Sequence, residues 1–151
     1  MPISQGELDE VLPLLKKVPI FGSLDKSSLN EIVETSSIEI FKAGAKIATK
    51  GAEGTSFYLI LDGVVEVRLS RRIVAKLARG EFFGEMSILD EEPRSADVVA
   101  IEETRCLAIT RPSFKALLES NPVIATGVLK EVVRRLRKTT KTSFFPQWSS
   151  R

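Results

Sequence analysis

The sequence predicts an α+β domain in which helices at both ends flank a small antiparallel β-barrel or jelly roll. Apolar residues recur at helical spacing before residue 36 and after residue 111, and with a period of two between them. Glycines and polar pairs divide the middle region into short segments rich in β-branched and aromatic residues. At 151 residues, the chain is long enough for one domain with its own core.

Two helices are expected before the strands begin. The first covers about Glu7–Lys17 and contains Pro13, which is expected to strain or interrupt it because proline lacks a backbone donor. A turn follows at Val18–Gly22. Asp25 is a favourable N-cap for a second helix that ends near Thr35. The buried face of this helix carries Leu29, Ile32 and Val33.

Seven short strands are expected in the middle of the chain, because apolar and polar residues alternate there between turn signals. Their expected ranges are Ser37–Phe41, Lys46–Thr49, Phe57–Leu61, Val64–Leu69, Ile73–Ala78, Ala96–Ile101 and Arg105–Ile109. Between the third and the fourth strand, Asp62-Gly63 predicts a tight hairpin, since a type I′ turn needs positive φ at both central positions.

Two further helices are expected after the last strand. Arg111-Pro112 opens the first, with proline in its first turn, and Ser120-Asn121-Pro122 ends it. The second covers about Val123–Lys141 and carries basic residues mostly opposite an apolar stripe. The stripe consists of Ile124, Val128, Leu129, Val132, Val133 and Leu136. A polar tail follows, with the aromatic residues Phe144, Phe145 and Trp148.

Composition excludes several classes of function. The chain has no histidine, which removes histidine-ligated metal sites and Ser–His or Cys–His nucleophile pairs, so we expect no catalytic residues and no metal. The single cysteine, Cys106, lies in an apolar strand and is expected to be a buried structural thiol. No apolar run approaches the roughly 18 residues of a membrane span, and Val11–Leu15 is too short for a signal peptide. A cytoplasmic protein is expected.

One segment, Phe83–Val98, combines three features that suit a ligand with a phosphate and a sugar hydroxyl. Gly84 lets the backbone approach the ligand and starts a short helix whose free N–H groups favour an anion. Glu85 supplies a carboxylate that can accept a hydrogen bond from a hydroxyl, and Arg94 supplies a planar, permanently charged guanidinium for a phosphate. A cyclic nucleotide carries both of these groups close together.

The same segment resembles the phosphate-binding cassette of the cyclic nucleotide-binding domain family, which includes catabolite activators and the regulatory subunits of protein kinase A. The matching residues are Phe83-Gly84-Glu85-Met86-Ser87 and Pro93-Arg94-Ser95-Ala96. The resemblance covers about Lys17–Lys141. It implies an N-terminal helical segment (1–36), an eight-stranded β-roll (37–110) with its cassette at 83–98, C-terminal hinge and lid helices (111–141) and a tail (142–151).

The resemblance also implies the roles of the cassette residues. Glu85 would accept the ribose 2′-hydroxyl, and Arg94 would pair with the equatorial phosphate oxygens. Ser95 would bind another phosphate oxygen, and the backbone amides of Met86 and Ser87 would complete the cradle. The other expected ligand-binding residues are Phe83, Gly84 and Ala96. Serine at position 95 does not select between adenine and guanine, so cAMP is expected over cGMP only because it is used more often.

Structural roles remain open for these residues. Glu85 can instead interact with the helix dipole, and Arg94 can instead pair with Glu91, Glu92 or Asp97. The family covers the nucleotide base with an apolar or aromatic side chain from the lid helix or beyond. The expected lid residues here are Phe144, Trp148 and, on the helix, Leu136, although the aromatic side chains can also pack on the roll or at a dimer contact.

The resemblance implies a non-enzymatic sensor that needs no cofactor, binds cAMP or cGMP and transmits occupancy through its C-terminal helix to a protein effector or a second copy. Direct DNA binding is not expected, because the chain ends soon after the lid helix. The domain is expected to be either a stand-alone module or the sensor part of a longer protein. The alternative is a scaffold with a vestigial pocket that acts through the basic helix Lys130–Lys141 on a membrane surface or an acidic partner.

Overall fold

The computed structural model describes residues 3–51, 56–84 and 96–139 of the chain. Its helices are α1 (Gln5–Lys16), α2 (Lys26–Glu34), α3 (Arg111–Ser120) and α4 (Pro122–Thr139), with a 3₁₀ turn at Pro19–Phe21. Its strands are β1 (Ser37–Phe41), β2 (Lys46–Ala48), β3 (Ser56–Asp62), β4 (Val65–Leu69), β5 (Arg72–Leu77), β6 (Phe82–Phe83), β7 (Asp97–Ala100) and β8 (Thr104–Thr110).

The eight strands form two four-stranded antiparallel sheets rather than a closed barrel. The first sheet has the order β1-β8-β3-β6, and the second has the order β2-β7-β4-β5. This confirms the eight-stranded antiparallel roll flanked by helices. The residue pattern predicted seven strands, because β6 is only two residues long, Phe82 and Phe83, and ends where the expected cassette begins.

The predicted hairpin at Asp62-Gly63 is wrong. Strands β3 and β4 lie in different sheets, so these residues carry the chain from one sheet to the other. Gly63 has the expected positive φ of 100°, and a Cβ atom there would come within 2.6 Å of the carbonyl oxygen of Glu103. Glycine is needed at position 63 because of its positive φ and because its Cα lies close to the backbone of Glu103. The pairing of β3 is decided instead by its packing between β8 and β6.

The first sheet separates two apolar cores, because residues of β3 alternate between its faces. Phe57, Leu59 and Leu61 face the helices, where the Phe21 ring meets Phe57 and Phe114 edge-on at centroid distances of 5.8 Å. The opposite face of the strand looks into a second core between the two sheets. The buried members of this inter-sheet core are Ala48, Ile60, Val65, Val98 and Cys106.

Helix α1 runs through Pro13 without interruption. Its start is fixed by a capping box, in which the Ser4 hydroxyl accepts from the Glu7 amide and the Glu7 carboxylate accepts from the Ser4 amide. The Ser-x-x-Glu spacing was a visible signal that the sequence reasoning missed. Arg105 of β8 donates to Glu10 of this helix and to Asp62, which ties α1 to the roll.

Helix α4 does not bury its predicted apolar stripe as one face. Ile124 and Val128 are buried against the helical core, whereas Leu129, Val133 and Leu136 are exposed. The buried side of the helix carries instead the carboxylate of Glu131, which is only 5% exposed. Within the described ranges, no helix combines the length and the hydrophobicity needed to cross a bilayer.

Candidate functional site

The cassette starts in one sheet and ends in the other. The chain leaves the first sheet after Phe83 and enters the second at Asp97. Residues 85–95 lie outside the described residues, so the roles expected for Glu85, Met86, Ser87, Arg94 and Ser95 remain predictions. The tail residues Phe144, Phe145 and Trp148 lie outside the described residues as well.

Aromatic packing holds the start of the cassette against the first sheet. The ring of Phe83 stacks on Tyr58, its cross-strand partner, at a centroid distance of 5.1 Å and an interplanar angle of 26°. Tyr58 in turn meets Phe41 edge-on at 5.8 Å. These half-buried rings pack against the inter-sheet core. Phe83 therefore anchors the point at which Gly84 turns away with a φ of 80°.

The turn before β6 is fixed by hydrogen bonds that the sequence did not predict. The Glu81 carboxylate accepts from the Ala78 amide at 2.9 Å, while the Glu81 amide donates to the Ala78 carbonyl at 2.9 Å. The amide of Gly80 donates to the Ile60 carbonyl at 2.8 Å, and Gly80 has a φ of 85°. Phe82 and Phe83 consequently leave the turn in a single register relative to β3.

The second sheet forms the opposite wall of the inter-sheet space. Val67 of β4 and Leu77 of β5 are half-buried and pack against the same core as Tyr58 and Phe83. Ala96, where the described chain resumes, is half-buried too. The space between the sheets is thus lined by apolar side chains on both walls, with the two ends of the cassette at its border.

Asp97 is the charged side chain at the end of the cassette. Its Oδ1 accepts from the Lys50 amide at 2.7 Å, and its Oδ2 lies 3.7 Å from Lys46 Nζ. The pKa of Asp97 is lowered, chiefly by the hydrogen bond from the Lys50 amide, and further by the charge of Lys46. Sequence reasoning had considered Asp97 only as a partner for Arg94.

The buried thiol is unsuited to nucleophilic chemistry. Cys106 is buried in the inter-sheet core, as predicted, and burial together with the nearby Glu39 carboxylate raises its pKa to about 12. In the described part of the chain, no three histidine, cysteine, aspartate or glutamate side chains are grouped closely enough to hold a metal ion.

The expected lid residue on the helix, Leu136, belongs to neither core and is 62% exposed. Its helix, α4, packs against the 3₁₀ turn and α3, on the helical side of the first sheet. A role for Leu136 over the nucleotide base therefore remains a prediction.

Comparison with known proteins supplies the family. The family model of the cyclic nucleotide-binding domain matches residues 38–121. A cyclic AMP receptor protein from Thermus thermophilus is 35% identical over an alignment of 131 residues, and the match covers 82% of this chain and 60% of that protein. A regulatory subunit of cAMP-dependent protein kinase from Schizosaccharomyces pombe is 35% identical over 106 residues, which are 70% of this chain and 26% of that protein.

One solved structure has the same fold as this chain over nearly the whole length of the solved domain. The N-terminal domain of a transcriptional regulator from Streptomyces coelicolor A3(2) has a TM-score of 0.79 and 30% identity. The match covers 85% of this chain and 93% of that domain. The chain therefore spans the domain itself but only part of the two longer relatives. By its motif, its two-sheet roll and these matches, the chain belongs to the cyclic nucleotide-binding domain family.

Proposed function

We propose that the protein is a non-enzymatic cytoplasmic sensor that binds a cyclic nucleotide, cAMP in preference to cGMP, at the inter-sheet space. The observation that carries this proposal is the position of the cassette ends. Phe83-Gly84 leaves one wall of that space and Ala96-Asp97 enters the other, so both described ends of the cassette lie at its border. The choice of cAMP is supported by the names of the two relatives above.

Recognition is proposed to divide between polar and apolar contacts. Arg94 pairs with the cyclic phosphate, and Ser95 with the amides of Met86 and Ser87 completes its cradle. Glu85 accepts the ribose 2′-hydroxyl. The purine ring packs against the apolar walls of the roll, and an aromatic cover from the tail would add about 1–3 kcal/mol.

Occupancy is proposed to reach other proteins through α4. The helix is docked near the start of the domain, where Gly127 lies directly against Leu24 and Glu131 bonds to Ser23. A nucleotide can shift this helix only if it binds one arrangement more tightly than the other. The exposed residues Leu129, Val133 and Leu136 follow i, i+4, i+7 spacing, which suits a protein effector or a second copy.

One observation supports the alternative of a scaffold with a vestigial pocket. Lys130, Arg134 and Arg137 line an open groove of about 470 Å³ on α4, beside the exposed Leu129 and Val133. An acidic protein segment or an anionic membrane would suit that combination of charge and apolar surface. This second function needs no nucleotide, so nucleotide titration separates the two.

The test is isothermal titration calorimetry of the full chain with cAMP, cGMP and noncyclic AMP. We expect saturable binding of cAMP, weaker binding of cGMP and little binding of AMP, because AMP carries an open, doubly charged phosphate. Arg94→Ala is the matched control, since it removes the proposed phosphate partner from the same protein. Absence of saturable heat with all three nucleotides at millimolar concentration would contradict the proposal and favour the scaffold.

A further inference from the structure

We infer that Asp97 is a positioning residue for the nucleotide site. Its carboxylate holds the connection after β2 against β7, the strand that follows the cassette. This role deepens the proposed function and rests on it. Asp97 is not expected to touch the nucleotide. It would act by setting where the end of the cassette lies relative to the neighbouring strand.

The pairing between β2 and β7 stops short of the site. Lys46 pairs with Val99, and Ala48 pairs with Val98, with an irregular register between the two pairs. Beyond Ala48 the backbone ladder does not continue. The next amide on this side, that of Lys50, is bonded instead by the side chain of Asp97 at 2.7 Å. One carboxylate therefore extends the contact between the two chain segments past the end of the ladder.

This bond joins the end of the cassette to the turn after β2. Asp97 is the first residue of β7, two positions after Ser95, and it pairs with Arg68 of β4. Lys50 precedes Gly51, which has a positive φ of 83° where the chain turns after β2. A bond that spans 47 residues of sequence thus fixes the end of the cassette against the turn after β2.

The backbone amide, and not the lysine charge, is the main partner of Asp97. The ammonium group of Lys46 lies 3.7 Å away and its side chain is half-exposed, so the ion pair contributes little. The Lys50 amide is also the largest cause of the lowered pKa of Asp97. An uncharged acceptor at the same position should therefore retain most of the positioning, whereas a side chain without an acceptor should lose it.

The chain offers a matched control in Asp25. Its carboxylate caps α2 by accepting from the Ser28 amide at 2.8 Å, and its pKa is lowered chiefly by that bond. Asp25 and Asp97 therefore make the same kind of bond at nearly the same length, but Asp25 lies at the start of α2, in the N-terminal helical segment. Loss of the Asp25 bond should lower stability without changing a nucleotide site between the sheets.

The experiment measures the dissociation constant for cAMP of the wild type, Asp97→Ala, Asp97→Asn and Asp25→Ala, all well below their unfolding temperatures. We expect Asp97→Ala to weaken binding about tenfold and Asp97→Asn to remain within about threefold of the wild type. Asp25→Ala should bind as the wild type does. Equal affinities for Asp97→Ala and Asp25→Ala would overturn the role. If Asp97→Ala does not fold, Asp97→Glu, which shifts the carboxylate by one methylene, replaces it with the same expectation.

A second measurement separates this role from the proposed function. In the absence of any nucleotide, amide hydrogen exchange of Lys50 and of residues 84–96 should be at least several-fold faster in Asp97→Ala than in Asp25→Ala. That result would show that Asp97 holds the end of the cassette even if the wild type binds no cyclic nucleotide, and in that case it is the proposed function that fails. Unchanged exchange at these amides would overturn the role even if cAMP binds.

Discussion

Ser23 and Glu131 lie 108 positions apart in the sequence, and the hydroxyl of Ser23 donates a 2.5 Å hydrogen bond to the carboxylate of Glu131. The bond links α4 to the segment just after the 3₁₀ turn. Arg134, one helical turn further along, donates to the same carboxylate at 2.9 Å. Arg134 lies on the same helix and moves with Glu131, so the Ser23 bond is the one that ties α4 to another segment, and a shift of the helix would break it.

Replacing this carboxylate should loosen α4. We expect Glu131→Ala to lower the free energy of unfolding by about 1–3 kcal/mol, since the Ser23 hydroxyl loses its acceptor and the site loses packing. Urea denaturation measures the change, and faster amide exchange in α4 should accompany it. Glu119→Ala, on the exposed side of α3, is the control and should stay within about 0.5 kcal/mol of the wild type. A Glu131 variant as stable as this control would show that the bond does not hold the helix.

Gly127 should resist the substitution that stabilises most helices. Alanine in place of glycine inside a helix normally adds about 1 kcal/mol. Here a Cβ atom would lie 2.5 Å from Cδ2 of the buried Leu24, so we expect Gly127→Ala to lower stability by about 1 kcal/mol or more. Thermal or urea unfolding measures the effect.

The same substitution in a Leu24→Ala background tests the cause. With the Leu24 side chain truncated, the added methyl group has space, and Gly127→Ala should then stabilise the protein relative to Leu24→Ala alone. A change of sign between the two backgrounds is the expected coupling of two residues in contact. Equal effects in both backgrounds would mean that the close approach to Leu24 does not decide the outcome.

Residues that are neighbours in sequence predicted the helices and strands well. They did not predict strand partners or buried polar side chains, because these depend on long-range packing. The Asp25 cap and the Arg111–Ser120 helix follow from residues that are neighbours in sequence. The predicted positive φ at Asp62-Gly63 is present at Gly63 but not at Asp62, and the predicted hairpin is wrong, because strand partners depend on which face is buried. The burial of Glu131 was not predicted, since its partner Ser23 is distant in sequence.

The candidate site divides in the same way. The motif found Gly84 and the cassette because phosphate recognition needs particular residues at a particular spacing. It did not find Asp97 as an anchor, because its partner is a backbone amide at Lys50, and an amide carries no signature in the sequence. The Tyr58–Phe83 stack was missed for a similar reason, since β6 is too short to show a period.

The turn between β4 and β5 should tolerate glycine better than its own serine. Ser70 has a φ of 58°, and Arg71, the other central residue, does not have positive φ, which is the pattern of a type II′ hairpin turn. We expect Ser70→Gly to raise the free energy of unfolding by about 1 kcal/mol, because the conformational strain exceeds the added entropy of glycine. Arg71→Gly is the control and should not stabilise. A loss of stability in Ser70→Gly would contradict this account of the turn.

Arg94→Ala should weaken cyclic nucleotide binding by about 2–5 kcal/mol, because the phosphate charge would lose its partner in the pocket. The dissociation constant from calorimetry measures the loss, and unfolding measurements should show little change in stability. Arg71→Ala removes an arginine from the exposed β4–β5 turn and should leave affinity unchanged. Binding by Arg94→Ala within about threefold of the wild type would exclude Arg94 as the phosphate ligand.

Glu85→Gln should distinguish a hydroxyl contact from support of the helix. If Glu85 accepts the ribose 2′-hydroxyl, the charge-assisted bond is lost with cAMP, and affinity should fall several-fold. The 2′-deoxy analogue offers no hydroxyl, so its affinity, already weaker with the wild type, should change little. Titrating both ligands into both proteins gives a double-mutant cycle in which the coupling term reports the contact alone. Equal losses for the two ligands would instead assign Glu85 to support of the helix that the sequence predicts after Gly84.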